Sequence, residues 1–242
     1  MPTKIKPTEH AIEYGSRKIV YNLFREKRNR VRIVVSPELN VDVFAPEMAS
    51  EFRVHDIVRK KAPWIAKSID KLENYHPLPA PKQYVSGETL VYLGRQYRLK
   101  VENGKDEPAK LRGRFLHVEV KNKTDIRKVK RKVENWYRKR ARDILSRYMD
   151  KCFAIASRHG LPEPFFTIRK MRRRWGSCSP ADRITLNIKL VQLPVQCIEY
   201  VIMHELCHLR HPNHSRYFYS FLTRCLPDWR KRKEILDNVM LY

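Results

Sequence analysis

Glycine is scarce in this chain, with seven in 242 residues. None cluster, so no Gly-rich phosphate loop of the Walker type can be drawn along it. No uncharged apolar run reaches the roughly eighteen residues of a membrane span, which excludes a transmembrane helix. The opening stretch MPTKIKPTEH lacks an apolar core and does not read as a secretory signal. The five cysteines, Cys152, Cys178, Cys197, Cys207 and Cys225, form no C-x-x-C pair and are odd in number. Reduced thiols in a cytoplasm are therefore expected. Acidic residues are also short, 26 against 51 Lys and Arg, a net charge of +25. That excess favours anionic partners such as nucleic acid, nucleotides or acidic proteins. No nucleic-acid motif accompanies it, so a cationic surface with no specific polyanion is the plain alternative. Oligomeric state leaves no signal.

Length allows one large domain or two small ones. The patterning predicts an α+β protein whose β-rich first part, 1–122 with one helix, precedes a second part, 123–242. Residues 11–24 and 30–45 read as two strand pairs, turning at Gly15-Ser16 and at Ser36–Asn40. A helix is expected over 50–74, with Phe52, Ile57, Val58, Trp64, Ile65, Ile69 and Leu72 as its apolar stripe. The link His76-Pro77-Leu78-Pro79-Ala80-Pro81 follows. Strands are expected at 88–101, turning at Gly94, and at 110–120. A long helix over 124–159 carries a basic stretch from Arg127 to Arg142, read as a solvated face, and Gly160 stops it. A last β unit spans 165–191 around the polar turn WGSCSPADR. Pro194 opens an apolar helix, and shorter helices cover 215–225 and 228–240. No internal repeat is evident. Trp64 and Trp136 are assigned to core, Trp175 to a packing anchor and Cys207 to core. Cys178 stays open between a packed and a reactive thiol.

Eleven residues, His204 to His214, hold four of the nine histidines. They contain H-E-x-x-H. On a helix His204 and His208 lie one turn apart on one face and can share a metal ion, while Glu205 can hold a water on it. Catalytic zinc takes three protein ligands and leaves a fourth position open. His211 would lie roughly 10 Å along the axis from His204, too far to converge. Pro212-Asn213 ends the helix and lets the chain return His214, which is preferred as third ligand. The spacing from His208 to His214 is that of metzincins, although their glycine is His211 here. An acidic third ligand, Glu234 or Asp228, as in gluzincins, stays open. Zinc lowers the pKa of its water to about 7, and Glu205 then serves as general base. Arg174, Ser177 and Asn187 are candidates to bind substrate or steady an oxyanion.

The chain resembles the YgjP-like family of metal-dependent hydrolases, relatives of the SprT and WLM zincin peptidases. The resemblance is carried by RKKAPWIAKSIDKL (59–72), RKMRRRWGSCSPADRITLNIKLVQLP (169–194) and YVIMHELCHLRHPNHSRYFYSFL (200–222). It runs from about residue 14 to 235. It implies a zincin-like catalytic half, with the H-E-x-x-H helix packed on a β-hairpin and a metal on His204, His208 and His214. It also implies Glu205 as base, and WGSCS and the strand through Asn187 as cleft lining. It leaves the substrate between a peptide and a nucleotide, since a UTP pyrophosphatase activity has been attributed to one branch. The run Arg172-Arg173-Arg174 would suit phosphate. A nucleic-acid-associated module with a zinc site is a third reading, against which the intact Glu205 speaks.

Overall fold

The structure is a computed structural model that describes residues 7–73, 76, 80–171 and 174–239. Pro77–Pro79 of the proline-rich link, and Arg172 and Arg173, lie outside the described residues. The chain adopts the expected α+β class and divides into two compact units, Met1–Ala80 and Pro81–Tyr242. Sequence character changes at 122–123, but the units part at 80–81, because the strands after residue 88 fold with the later helices.

The first unit contains β1 (Thr8–Tyr14), β2 (Arg17–Glu26), β3 (Arg32–Val35), β4 (Val41–Pro46) and α1 (Glu51–Glu73). Its sheet has the order β1-β2-β4-β3, with β2 and β4 parallel and the outer pairs antiparallel. Alternation in the strands turns Ile19, Tyr21 and Leu23, then Val41, Val43 and Ala45, to one buried face. Val54, Val58, Ala62 and Ile65 follow at helical spacing and cover it. Burying each of the larger aliphatic groups contributes about 1.5–3 kcal/mol. Two sequence assignments fail here. Phe52 and Trp64 are 85% and 49% exposed, because the buried stripe runs through Val54 and Ala62 and leaves them off it.

The second unit begins with β5 (Thr89–Tyr92), β6 (Arg95–Asn103), β7 (Lys110–Arg112), β8 (Phe115–Val120) and α2 (Ile126–Ala156). The segment expected as one strand over 110–120 is a hairpin broken at Gly113. The sheet order β5-β6-β8-β7, parallel at its centre, repeats that of the first unit. The repeat extends to side chains. Val41 and Leu116, Val43 and Val118, Ala45 and Val120, Val54 and Val129, Val58 and Val133, Ala62 and Tyr137, and Ala66 and Ala141 are all buried, each pair 75 residues apart. In the first hairpins Ile12, Tyr14, Arg17 and Tyr21 match Leu90, Tyr92, Arg95 and Leu99 at a spacing of 78. The chain therefore contains one four-strand-and-helix module twice. No repeat was read from the sequence, because the identities that survive, such as Tyr14 with Tyr92 and Val43 with Val118, are scattered among unlike residues and fall at two spacings, 78 and 75.

A 3-10 turn, Ser157–His159, leads to β9 (Phe165–Arg169), β10 (Gly176–Cys178) and β11 (Arg183–Asn187), ordered β10-β11-β9. β9 runs parallel to β11, so only β10 and β11 form the expected hairpin. Ile188–Gln192, expected as strand, is a second 3-10 turn. α3 (Val195–His208), α4 (Arg216–Cys225) and α5 (Trp229–Asp237) complete the unit. α3 packs between α2 and the β10–β11 hairpin. Leu145, Met149 and Cys152 of α2 share one core with Ile198, Val201 and Ile202. Among the described residues no helix is long and apolar enough to cross a membrane. All five cysteines are free.

Candidate metal centre

The apolar run of α3 buries most of that helix, which holds its one polar face still. His204 and His208 emerge from this face with ring centroids 4.8 Å apart. The helix ends at His208, and the turn that follows returns His214 to the same point. The His204 Nε2 lies 3.2 Å from the His208 Nε2 and 3.0 Å from the His214 Nε2. One nitrogen from each of the three rings lies within 4.8 Å of the others, the grouping among the described residues that could hold a metal ion. Four-coordinate zinc with bonds of 2.0–2.1 Å sets neighbouring nitrogens about 3.3 Å apart, so this donor set fits one such ion.

His208 Nδ1 donates to the His211 carbonyl at 3.0 Å. That bond fixes the tautomer and leaves the Nε2 lone pair for a metal. His211 thus acts through its backbone, while its ring packs on Phe221. Phe218, fully buried on α4, lies 4.6–5.0 Å from all three imidazoles, centroid to centroid, and floors the cluster. Burial, and then the neighbouring histidines, push His204 down to about 3. Burial lowers His208 as well, the His211 carbonyl opposing it. Both are neutral donors at ordinary pH. The acidic alternatives stand elsewhere. Asp228 holds Arg232 through both oxygens at 2.9 Å, and Glu234 is exposed and outside the cluster.

Glu205 is only 6% exposed. Burial pushes its carboxyl up to about 7, with the Arg174 charge and a Cys178 backbone N–H pulling the other way. Gly176 makes its room. A Cβ there would stand 2.7 Å from Glu205 Cγ and Oε1, so any side chain would displace the carboxylate. Neither Gly176 nor Phe218 was singled out from the sequence. The glycine inside R-W-G-S-C-S was the available signal.

The three substrate-binding candidates fare differently. Arg174 is exposed and electrostatically felt by Glu205. Ser177 is half-buried between Gly176 and Cys178, and strand alternation turns it to the face away from Glu205. Asn187 is fully buried, and its amide is spent on backbone. It donates to the Met171 and Arg174 carbonyls at 2.9 and 2.7 Å and accepts from Lys189 N–H at 3.1 Å. That ties Met171 and Arg174 to the end of β11 and leaves no group for a substrate. Cys178 is a packed thiol, pushed up to about 11 by burial and then by Glu205, which removes the thiolate a reactive cysteine needs. Cys207 is fully buried beside Cys225, as core.

A family model described as "YgjP-like, metallopeptidase domain" matches residues 29–239. The chain belongs to the YgjP-like metallopeptidase family. Membership makes it a metal-dependent hydrolase of the peptidase kind. None of the curated proteins matches it. Among solved structures it is similar to the crystal structure of the metallopeptidase zymogen of Pyrococcus abyssi abylysin. That likeness is 23% identical, covers 40% of this chain and 91% of the other, and has a TM-score of 0.35.

Proposed function

We propose that this YgjP-like protein is a zinc metallopeptidase that cleaves peptide bonds, with His204, His208 and His214 as metal ligands and Glu205 as general base. The observation that carries this reading is the meeting of three imidazole nitrogens beside a buried carboxyl held near neutrality. Zinc, when bound, supplies Lewis acidity and a water made acidic enough to attack at neutral pH. The remaining work belongs to the chain. Glu205 takes a proton from the attacking water and returns it to the departing amine nitrogen, a role that suits a carboxyl titrating near the working pH. Gly176 keeps that carboxylate in place. Arg174 offers positive charge to the oxyanion that develops on the carbonyl. The His208–His211 bond orients one ligand, and Phe218 keeps the rings from turning. Three imidazoles accept several divalent ions, and supply decides among them.

The test uses purified protein loaded with zinc, incubated with casein or a peptide library and, separately, with UTP. Glu205→Gln should lower peptide turnover about 10²–10⁴-fold with zinc content unchanged. His204→Ala should lose both zinc and turnover. Peptide cleavage indifferent to Glu205→Gln sinks the proposal. Pyrophosphate release from UTP that Glu205→Gln abolishes, with no peptide cleavage, puts a nucleotide hydrolase in its place.

A further inference from the structure

The repeated module offers a comparison inside one chain. In the second copy, the ground between the end of β6, the β8–α2 loop and the first turns of α2 is closed by a carboxylate. Asp106, three residues past β6, places its oxygens 2.6 Å from Lys128 Nζ and 2.7 Å from Lys132 Nζ. The two lysines hold that carboxyl down at about 2, through the Lys128 hydrogen bond first and the Lys132 bond next. A bond from the Gly104 N–H to the Val120 carbonyl at 3.0 Å draws the loop over the strands.

The matching ground in the first copy is open. A cleft of about 840 Å³ lies between the end of β2, the β4–α1 loop and the first turns of α1. Arg53 stands where the second copy has Lys128, and Ile57 where it has Lys132. The place of Asp106 is taken by Arg28, which is occupied with Glu26 at 3.4 Å and with the Arg30 carbonyl at 2.6 Å. No carboxylate closes this copy. Among the described residues Lys27, Arg30 and Arg53 line the cleft without an acidic partner, against one unpaired acid, Glu47. Met48, 96% exposed, and Ile57 give the same cleft an apolar wall.

We propose that this cleft of the first unit is an exosite that captures acidic segments of polypeptide chains, a side-chain carboxylate settling among Arg30, Arg53 and Lys27. The second copy displays the chemistry with an internal ligand, a carboxylate on two cations. A peptide suits the mixed lining better than a bare anion does, because apolar neighbours of the acid can lie on Met48 and Ile57. Arginine adds a planar, two-point grip that the lysines of the second copy lack. The binding stands whether or not the histidine centre cleaves peptides.

The experiment measures binding of a fluorescein-labelled peptide of alternating Glu and Leu to the full-length, zinc-loaded protein at about 0.15 M salt. Arg53→Gln and, separately, Arg30→Gln should each weaken it roughly five- to tenfold, the scale of a charge-assisted hydrogen bond. Arg142→Gln, on the exposed face of α2, removes equal charge elsewhere and should leave it unchanged. Equal weakening by all three variants would overturn the exosite in favour of diffuse cationic attraction. So would binding that neither cleft variant alters, or an oligonucleotide that displaces the peptide and itself loses affinity in Arg53→Gln. Because Arg30 lies in the β2–β3 loop and Arg53 on α1, a folding failure in one variant leaves the other to decide.

Discussion

In the first module the helix stops after 23 residues, whereas in the second it runs on to 31. The added turns carry Met149, Cys152 and Ala156, the surface on which α3 lies. The hairpin ends differ in the same sense. Tyr14 is 43% exposed and its counterpart Tyr92 only 9%. Lys61 in α1 is exposed, and its counterpart Trp136 in α2 is buried against Tyr92, centroids 5.0 Å apart. One architecture thus keeps a largely polar outer face in one place and seats the histidine-bearing helix α3 in the other. The change needs an apolar outer face and two extra helical turns. The candidate metal site depends on the second version, because the 3-10 turn leading into α3 is tied to the β5–β6 turn by Leu93 N–H to the Val191 carbonyl at 2.8 Å.

The widest contrast should come from the two tryptophans. Trp136→Ala empties a buried aromatic site and should cost about 3–5 kcal/mol. Trp64→Ala, on the exposed side of α1, should cost less than about 1 kcal/mol. Denaturant unfolding of the full chain, followed by circular dichroism, measures both. Equal losses would mean that α1 buries its outer face after all, and the contrast between the modules would fall.

A smaller effect is expected at Glu199, which joins the added turns of α2 to α3 and α5. Its oxygens lie 2.7 Å from Lys151 Nζ and 2.5 Å from Arg232 Nη1. Burial raises its carboxyl, and the two cations outweigh that and hold it below the ordinary range. A depressed carboxyl stabilises the fold above its ordinary pKa, and that contribution is lost as pH falls through the folded value. Glu199→Gln should therefore cost about 1–3 kcal/mol at neutral pH, and the gap from the parent should close below about pH 4. A gap that persists in acid would assign the loss to packing instead.

These contrasts also show what the sequence could carry. Strand alternation at Val31–Val35 and Val41–Val43, and the spacing of His204 and His208, are local periodicities, and each was legible. The placing of His214 followed from helix rise and the proline after His211. Contacts between distant segments were not legible. The parallel pairing of β9 with β11, the room Gly176 leaves for Glu205 and the Phe218 floor all depend on which elements meet. Asn187 shows the limit most clearly. A polar residue beside a site reads as a substrate group until its amide is found saturated by backbone.

The finest contrast lies in the two hairpin turns. Gly15 and Gly94 both have positive φ, 60° and 76°, so alanine at either should cost about 1–2 kcal/mol in backbone strain. Their surroundings differ. A Cβ on Gly15 meets nothing within 4 Å, whereas one on Gly94 would stand 2.9 Å from Pro194 Cγ and 3.0 Å from its Cα. Neither a ring nor a backbone atom can swing aside, so Gly94→Ala should lose about 1–3 kcal/mol more than Gly15→Ala. Pro194 caps α3, so the push passes to the helix that carries His204 and His208. Gly94→Ala should therefore also weaken zinc retention under a chelator, and Gly15→Ala should not. Matched melting temperatures and matched zinc loss in the two variants would show that the second module does not hold the metal helix through this turn.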